Sequence, residues 1–508
     1  MSDLGALARL VGAAWALARA DALIPREAAP LLPPRARLLG KVLRLAAGPK
    51  ARRGRPGERL ASELERQGPV AIKLGQVLST RADIFGADVA EDLGRLRDRL
   101  DPFPTETARA EVARSLGRPV DSLYASFGAP VGAASLAQAH EARLLDGRKV
   151  AVKVLRPGIE RRVAQDIAAL SLAARLAEGL GSDARRLEPR ALAATVARSL
   201  QLELDLRFEA AGASELGEVM ARDGYMRAPE VVWEGVGKRT LALTWAQGLP
   251  LSEPEALAQP GLNRRALADN LIRGFLAQAL DHGVFHADLH EGNLFVAPPA
   301  ALTAVDFGIV GRLGEQERRY LAEILYGFLE RDYRKVAQSH FDAGYVPAHH
   351  SVDSFAQALR AVGEPIFGRT AQDVSMGGVL TQLFEITALF DMRLRPELVL
   401  LQKTMMVAEG VARRLWPEHD IWAAADPVVR RYIIRELAPP ARLRRLAEHG
   451  LKAAEALVRR VESPAGSTPV VITAPVTVQA ERASVPLLWF AAGAAAAGLA
   501  FAVAALLR

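Results

Sequence analysis

The segment VFHADLHEGNLFV, Val284 to Val296, constrains this chain more than any other. It sets an acidic residue, Asp288, five positions before an amide, Asn293, between apolar residues that favour strands. A second acid, Asp306, follows in Asp306-Phe307-Gly308 after the apolar run Leu302 to Val305. Carboxylate and amide oxygens suit a hard cation. His282, His286 and His290 recur every four residues, as the ligands of a helical metal site would. Gly283 and Gly292 interrupt any such helix, and no HExxH pattern accompanies them, so structural roles are expected for His286 and His290.

Upstream, Val150-Ala151-Val152-Lys153-Val154 alternates like a strand with a lysine at its centre. A strand lysine alone is weak, since edge strands carry lysines for other reasons. Placed before Asp288-x4-Asn293 and Asp306-Phe307-Gly308, it completes the phosphate-handling set of a protein kinase. Lys153 then contacts the α and β phosphates of ATP. Asp288 is the catalytic carboxylate, and Asn293 and Asp306 bind magnesium.

Several features depart from an ordinary kinase. Before Lys153, where a glycine-rich loop belongs, stands PVGAASLAQAH, Pro130 to His140. Its alanine methyls limit how closely backbone approaches phosphate. Ala287 replaces the arginine of His-Arg-Asp, and no Ala-Pro-Glu follows Asp306; helix is expected again by about Glu315.

These departures coincide in one family. The chain resembles the UbiB (AarF) family of atypical protein-kinase-like proteins, which includes the mitochondrial coenzyme-Q kinases, over about residues 57–420. Lys73-Leu74-Gly75-Gln76 matches the KxGQ motif, followed by Leu78-Ser79-Thr80-Arg81; Ala133-Ala134-Ser135 matches the alanine-rich loop. Glu203-Leu204-Asp205 with Glu209-Ala210 matches the ExD motif, and His286-Ala287-Asp288 with Gly292-Asn293 the HAD and GN elements. The resemblance implies ATP and Mg2+ as cofactors and Ala133, Ala134, Ser135 and Glu209 in the ATP site. Lys73 and Gln76 share one helix face. By resemblance they cover the pocket, Lys73 facing Glu203 or Asp205, and they block a bulky protein substrate. Lys153 pairs with Glu209, Glu203 being its alternative. Leu289 and Glu291 stand where the family has prolines, and Gly212 where it has asparagine. These exchanges are expected to loosen the local backbone.

The expected fold is α+β, an atypical kinase-like bilobal fold with a helical N-terminal extension and one C-terminal transmembrane helix. The divisions are a basic helical segment (1–56), the KxGQ extension (57–126), a kinase-like N-lobe (127–246), a helical C-lobe (247–460), a Pro/Ser/Thr/Val linker (461–484) and the span (485–507). That span is VPLLWFAAGAAAAGLAFAVAALL, 23 residues without a charge. As a helix it is long enough for a bilayer core.

The formal net charge of +7 asks for an anionic partner. Between Arg35 and Gly57 lie eight Lys or Arg and no acid, interleaved with leucines. Such a helix either lies on anionic lipid or packs on the main domain with a solvated face. The basic residues lack the aromatic interleaving of a single-strand binder, so nucleic acid is not an expected partner. No signal peptide is apparent, because Asp3, Arg9 and Arg19 break the first apolar stretch. The expected placement is a bacterial-type inner membrane with the kinase-like part on the cytoplasmic side. Absent cysteines exclude disulfides, thiolate zinc and cysteine nucleophiles.

Three functions fit: an ATPase supporting ubiquinone (prenylated quinone) biosynthesis or lipid handling, a true kinase for a protein or small molecule, and a nucleotide-sensing scaffold. By resemblance the partners are a lipid membrane, quinone precursors and quinone-biosynthesis enzymes.

Overall fold

The computed structural model describes residues 3–22, 54–79, 87–96, 101–178, 188–365 and 396–437, with residues 41, 386 and 389–392 besides. The expected span at 485–507, the linker and most of the basic stretch lie outside the described residues. Among the described residues no helix is long and apolar enough to cross a membrane.

The chain opens with helix α1 (Asp3–Arg19), then α2 (Pro56–Gln67), α3 (Pro69–Ser79), α4 (Ala87–Gly94) and α5 (Thr105–Leu116). An antiparallel sheet follows, built of β1 (Tyr124–Ala133), β2 (Ala137–Leu144), β3 (Lys149–Leu155) and, after a helical insertion, β4 (Thr240–Thr244), in spatial order 1-2-3-4. Period-two alternation orients β3. Val150, Val152 and Val154 are fully buried among Tyr124, Ala142, Leu144 and Ala242. Successive side chains of a strand point to opposite faces, so Lys153 is directed to the other side. Asp146 and Gly147 make the β2–β3 turn: Gly147 has φ 88°, and the Asp146 carboxylate accepts from the Arg148 amide at 3.0 Å.

The insertion comprises α6 (Ile159–Glu178), α7 (Pro189–Glu203) and α8 (Leu206–Asp223). One apolar cluster joins α3 to it: Val70 packs with Leu136, Leu155, Ile159, Val196, Leu200 and Leu206. Gly75 permits a second close approach. A Cβ there would lie 2.3 Å from Leu96 Cδ1 and 2.9 Å from Leu64 Cδ1, so a larger residue would push the extension apart.

Past β5 (Leu249–Pro250), α9 (Arg264–Ala277) is the central helix of the larger lobe. Asn263 caps it by accepting from the Ala266 amide at 3.0 Å. Leu267, Leu271, Ile272 and Phe275 are fully buried along it, each contributing about 1.5–3 kcal/mol. Three short antiparallel pairings frame the Val284–Val296 segment: β6 (Val284–His286) with β9 (Val310–Arg312), and β7 (Leu294–Ala297) with both β5 and β8 (Ala301–Ala304). Helices α10 (Glu315–Leu329), α11 (Tyr333–Asp342), α12 (Val352–Gly363), α13 (Pro396–Leu415) and α14 (Ile421–Leu437) complete the lobe. The helix expected near Glu315 begins at that residue.

Candidate active site

Strand β3, helix α8 and the turn after β8 bring three expected residues together. Lys153 Nζ donates to Glu209 Oε1 and Oε2 at 2.7 and 2.9 Å, and lies 3.4 Å from Asp306 Oδ1. The smaller lobe supplies the lysine and the larger one Asp306, so this contact bridges the two. Asp205 directs Glu209 inward by capping α8, accepting from the Arg207 amide at 3.2 Å.

One ammonium serves two carboxylates, and that asymmetry sets the charges. Burial alone would depress Lys153, but Asp306 and Glu209 outweigh it and hold the ammonium above its ordinary range. Lys153 in turn keeps Asp306 below the usual carboxylate range. Glu209, fully enclosed on α8, is pushed up to about 7 by burial, against the pull of Lys153. Asp306 thus stays ionised, and Glu209 titrates near neutrality.

Backbone geometry presents Asp306. Its φ is 62°, in the left-handed region that a side chain rarely occupies. The turn is held by the Gly308 amide donating to Asp306 Oδ1 at 3.3 Å, and by Phe307, buried edge-on against His286 with ring centroids 5.3 Å apart. Gly212 meets the same turn. A Cβ there would lie 3.2 Å from the Phe307 carbonyl oxygen and 3.0 Å from Val310 Cγ2. The glycine therefore marks a close helix approach; the expected loosening gives way to tight packing.

The catalytic segment is similarly tied. Asn293 Nδ2 donates to the Asp288 carbonyl at 3.0 Å, and the Val305 amide donates to the Asn293 carbonyl at 2.9 Å. His286, wholly buried, accepts from the Asp288 amide through Nδ1 at 3.1 Å. Nδ1 being the acceptor, its Nε2–H donates to the Val305 carbonyl, also at 3.1 Å. Burial depresses its pKa, so the ring stays neutral. The exchanged prolines do not loosen this segment either. Leu289 is fully buried in the main core, and Glu291 forms an ion pair with Arg414 on α13. Side-chain anchors do what proline rings would have done.

The histidine ladder separates. His282 pairs with Asp223 at 3.1 Å, His286 is spent on backbone, and His290 Nδ1 accepts from the Gly292 amide at 3.0 Å. Among the described residues, the three-ligand metal cluster is His349, His350 and Asp391, none of which belongs to this site.

Asn293 and Asp306 fit a hard divalent cation. The Asn293 nitrogen is engaged by Asp288, which turns its oxygen to the remaining side, and Asp306 is exposed with a depressed pKa. An all-oxygen donor set with carboxylate charge in excess of the shared ammonium suits Mg2+.

Ala133 ends β1, and Ala134 and Ser135 lie in the turn to β2. The Ala134 amide donates to the Ala137 carbonyl at 2.8 Å, and Arg156 Nε donates to the Ala134 carbonyl at 2.9 Å. In strand register Lys153 stands opposite Ala139, so this turn caps the lysine's end of the sheet. Gly132 has open space around it, so the turn makes no steric demand for glycine there.

On α3, buried Lys73 forms an ion pair with Glu203 at the end of α7. Of the two acids left open by the sequence, Glu203 is the partner; Asp205 turns to Arg207 at 2.6 Å. Gln76 is half-buried, and its side chain makes no hydrogen bond among the described residues. Sequence reasoning missed Lys403 on α13, a half-buried lysine in the field of Asp288 and Lys73.

Comparison with known proteins agrees with this geometry. Residues 95–340 match the ABC1 atypical kinase-like domain and residues 359–420 the UbiB helical domain, which defines an atypical kinase-like protein. A Marinobacter nauticus protein described as "Probable protein kinase UbiB" is 40% identical over 451 residues, 87% of this chain and 82% of that protein. One of the same description from Pseudomonas paraeruginosa is 41% identical over 421 residues, 82% of this chain and 79% of that one. The chain belongs to the UbiB family of atypical kinases. A solved Mycobacterium tuberculosis structure, the Rv3197–erythromycin complex, aligns with a TM-score of 0.49 at 22% identity, covering 72% of this chain and 93% of that one; it adds nothing further.

Proposed function

We propose that the protein binds Mg-ATP and hydrolyses it at Asp288, and that it does so at a membrane in support of prenylated-quinone (ubiquinone) biosynthesis or lipid handling. The observation that carries the nucleotide reading is the Lys153 ammonium shared between Glu209 and Asp306. Lys153 orients the α and β phosphates, held in place by Glu209. Asn293 and Asp306 hold the magnesium, which when bound neutralises phosphate charge. Asp288, 41% exposed at its side chain, is reachable by water. It orients the water and accepts its proton as the water oxygen bonds the terminal phosphorus. The bond from that phosphorus to the bridging oxygen breaks, and ADP leaves with the electron pair.

The ion pair of Lys73 with Glu203 supports hydrolysis over peptide phosphorylation. Burial of Lys73 fastens α3 to the smaller lobe and leaves the extension over the pocket side of the sheet. Support for the membrane comes from the uncharged run at 485–507 and the basic stretch at 35–57. The quinone pathway rests on family membership.

The deciding experiment supplies labelled ATP and membranes to the purified full-length chain and to Asp306→Asn. Free phosphate from the wild type alone is the expected result. Label transferred to protein would replace hydrolysis by kinase activity, and silence in both would leave a scaffold. Deletion of the gene should lower the quinone level; an unchanged level removes the pathway assignment.

A further inference from the structure

The catalytic segment Val284–Val296 contains no lysine or arginine, and Ala287 occupies the position where a kinase loop carries arginine. A phosphoryl group transferred beside Asp288 nevertheless needs cationic stabilisation as charge develops on its oxygens. Lys153 stands on β3, Lys73 on α3 and Lys403 on α13. Lys153 is committed to Glu209 and Asp306, and Lys73 to Glu203. Lys403 is different: among the described residues no carboxylate lies within ion-pair distance of it, although it is half-buried.

Its helix, α13, is fastened to the catalytic segment. The adjacent Thr404, 1% exposed, places its hydroxyl 3.1 Å from the Ala287 carbonyl oxygen and 2.8 Å from that of Leu400, sharing one proton between them. Further along, Arg414 pairs with Glu291. Lys403 is therefore carried next to the residue preceding Asp288 by an element held at two points. Burial depresses its ammonium; the Asp288 charge opposes that, and the Lys73 charge adds to it. An ammonium withdrawn from water without a counter-ion is costly, and a bound anion would offset that cost.

We infer that Lys403 is the cation that stabilises the phosphoryl group as it passes to water at Asp288, donating to its non-bridging oxygens during the step described above. The inference rests on the reading of Asp288 as the phosphoryl-transfer centre. Lys403 keeps its proton throughout, and no bond to it forms or breaks. The helical domain thus supplies by packing the charge that the HAD segment lacks.

The test compares full-length wild type with Lys403→Met and Lys403→Arg, measuring Mg-ATP binding, phosphate release and nucleotide-free melting. Lys403→Met should lose about 10²-fold in turnover, as for removal of one preorganised donor, with ATP affinity within about threefold. Its melting temperature should hold or rise, because the methionine keeps the stem and removes the stranded charge. Lys403→Arg should recover a tenth or more of wild-type turnover. Wild-type turnover in Lys403→Met overturns the inference. So do equal losses of binding, turnover and melting temperature in both variants, which would mark a packing role. A wild type that binds Mg-ATP but releases no phosphate overturns the hydrolytic reading first, and this inference with it.

Discussion

Two lysine–carboxylate clusters are built on glutamates six residues apart and differ in stoichiometry. Glu203 and Glu209 stand at the end of α7 and the start of α8, yet Glu203 has Lys73 to itself, while Glu209 shares Lys153 with Asp306. The first cluster is a neutral pair that fastens the N-terminal extension. The second sets two carboxylates against one ammonium, so a metal cation can supply the remaining positive charge. Equal residue types thus give a clasp in one place and the proposed reactive centre in the other, because the number of partners differs.

That contrast is most easily broken at Asp306. Asp306→Asn should reduce phosphate release by about 10³-fold, since a cation ligand and charge are lost together, while the melting temperature changes little. Comparable turnover would show that the second cluster is no more than another clasp.

Next comes Glu209→Gln, expected to cost about 10–100-fold in turnover by freeing Lys153. Wild-type turnover should rise with pH through about 7, as Glu209 loses its proton and grips Lys153; the variant should lack that limb. Stability moves oppositely. The folded pKa of about 7 exceeds the ordinary 4.5, so the folded state holds this proton more tightly. The nucleotide-free protein should lose stability as pH rises from 4.5 to 7, and Glu209→Gln should reduce that slope. A pH-rate profile and melting curves across this range check both signs.

The clasp predicts a smaller effect, on stability. Lys73→Ala or Glu203→Ala should each cost about 1–3 kcal/mol by stranding the other charge, with the double variant costing less than the sum. Additive losses in denaturant unfolding would mean the two side chains are not coupled.

Smallest in stability is Gly212→Ala. Helix propensity gains about 1 kcal/mol, which the contacts with Phe307 and Val310 roughly cancel. Turnover should nonetheless fall, because the displaced turn carries Asp306. An alanine variant with full turnover would show that the turn tolerates displacement.

The site was largely legible because its residues sit in short, rigid patterns. The alternation of Val150 to Val154 fixes which way Lys153 points, and the spacing of Asp288 and Asn293 fits a short turn whose ends are held by β6 and β7. What misled was judgement by residue type. Leu289, Glu291 and Gly212 read as loosening exchanges, yet each is fixed by a neighbour distant in sequence: the main core, Arg414 and Phe307. The choice between Glu203 and Asp205 was also undetermined, since either carboxylate could reach a lysine until Arg207 claimed one.

By itself the sequence determined the chemistry: which oxygens and ammonium groups exist, their order, and the kinase-like framework that their spacing demands. Local patterns suffice for that, because strand and helix periods act over a few residues. Tertiary structure alone decided which charges are paired. Lys153 meets two acids from separate elements and Lys73 one, and Thr404, beside Lys403, bonds the Ala287 carbonyl from a helix more than a hundred residues downstream. Charge pairing depends on distance and burial in space, and those are set only when the helices pack.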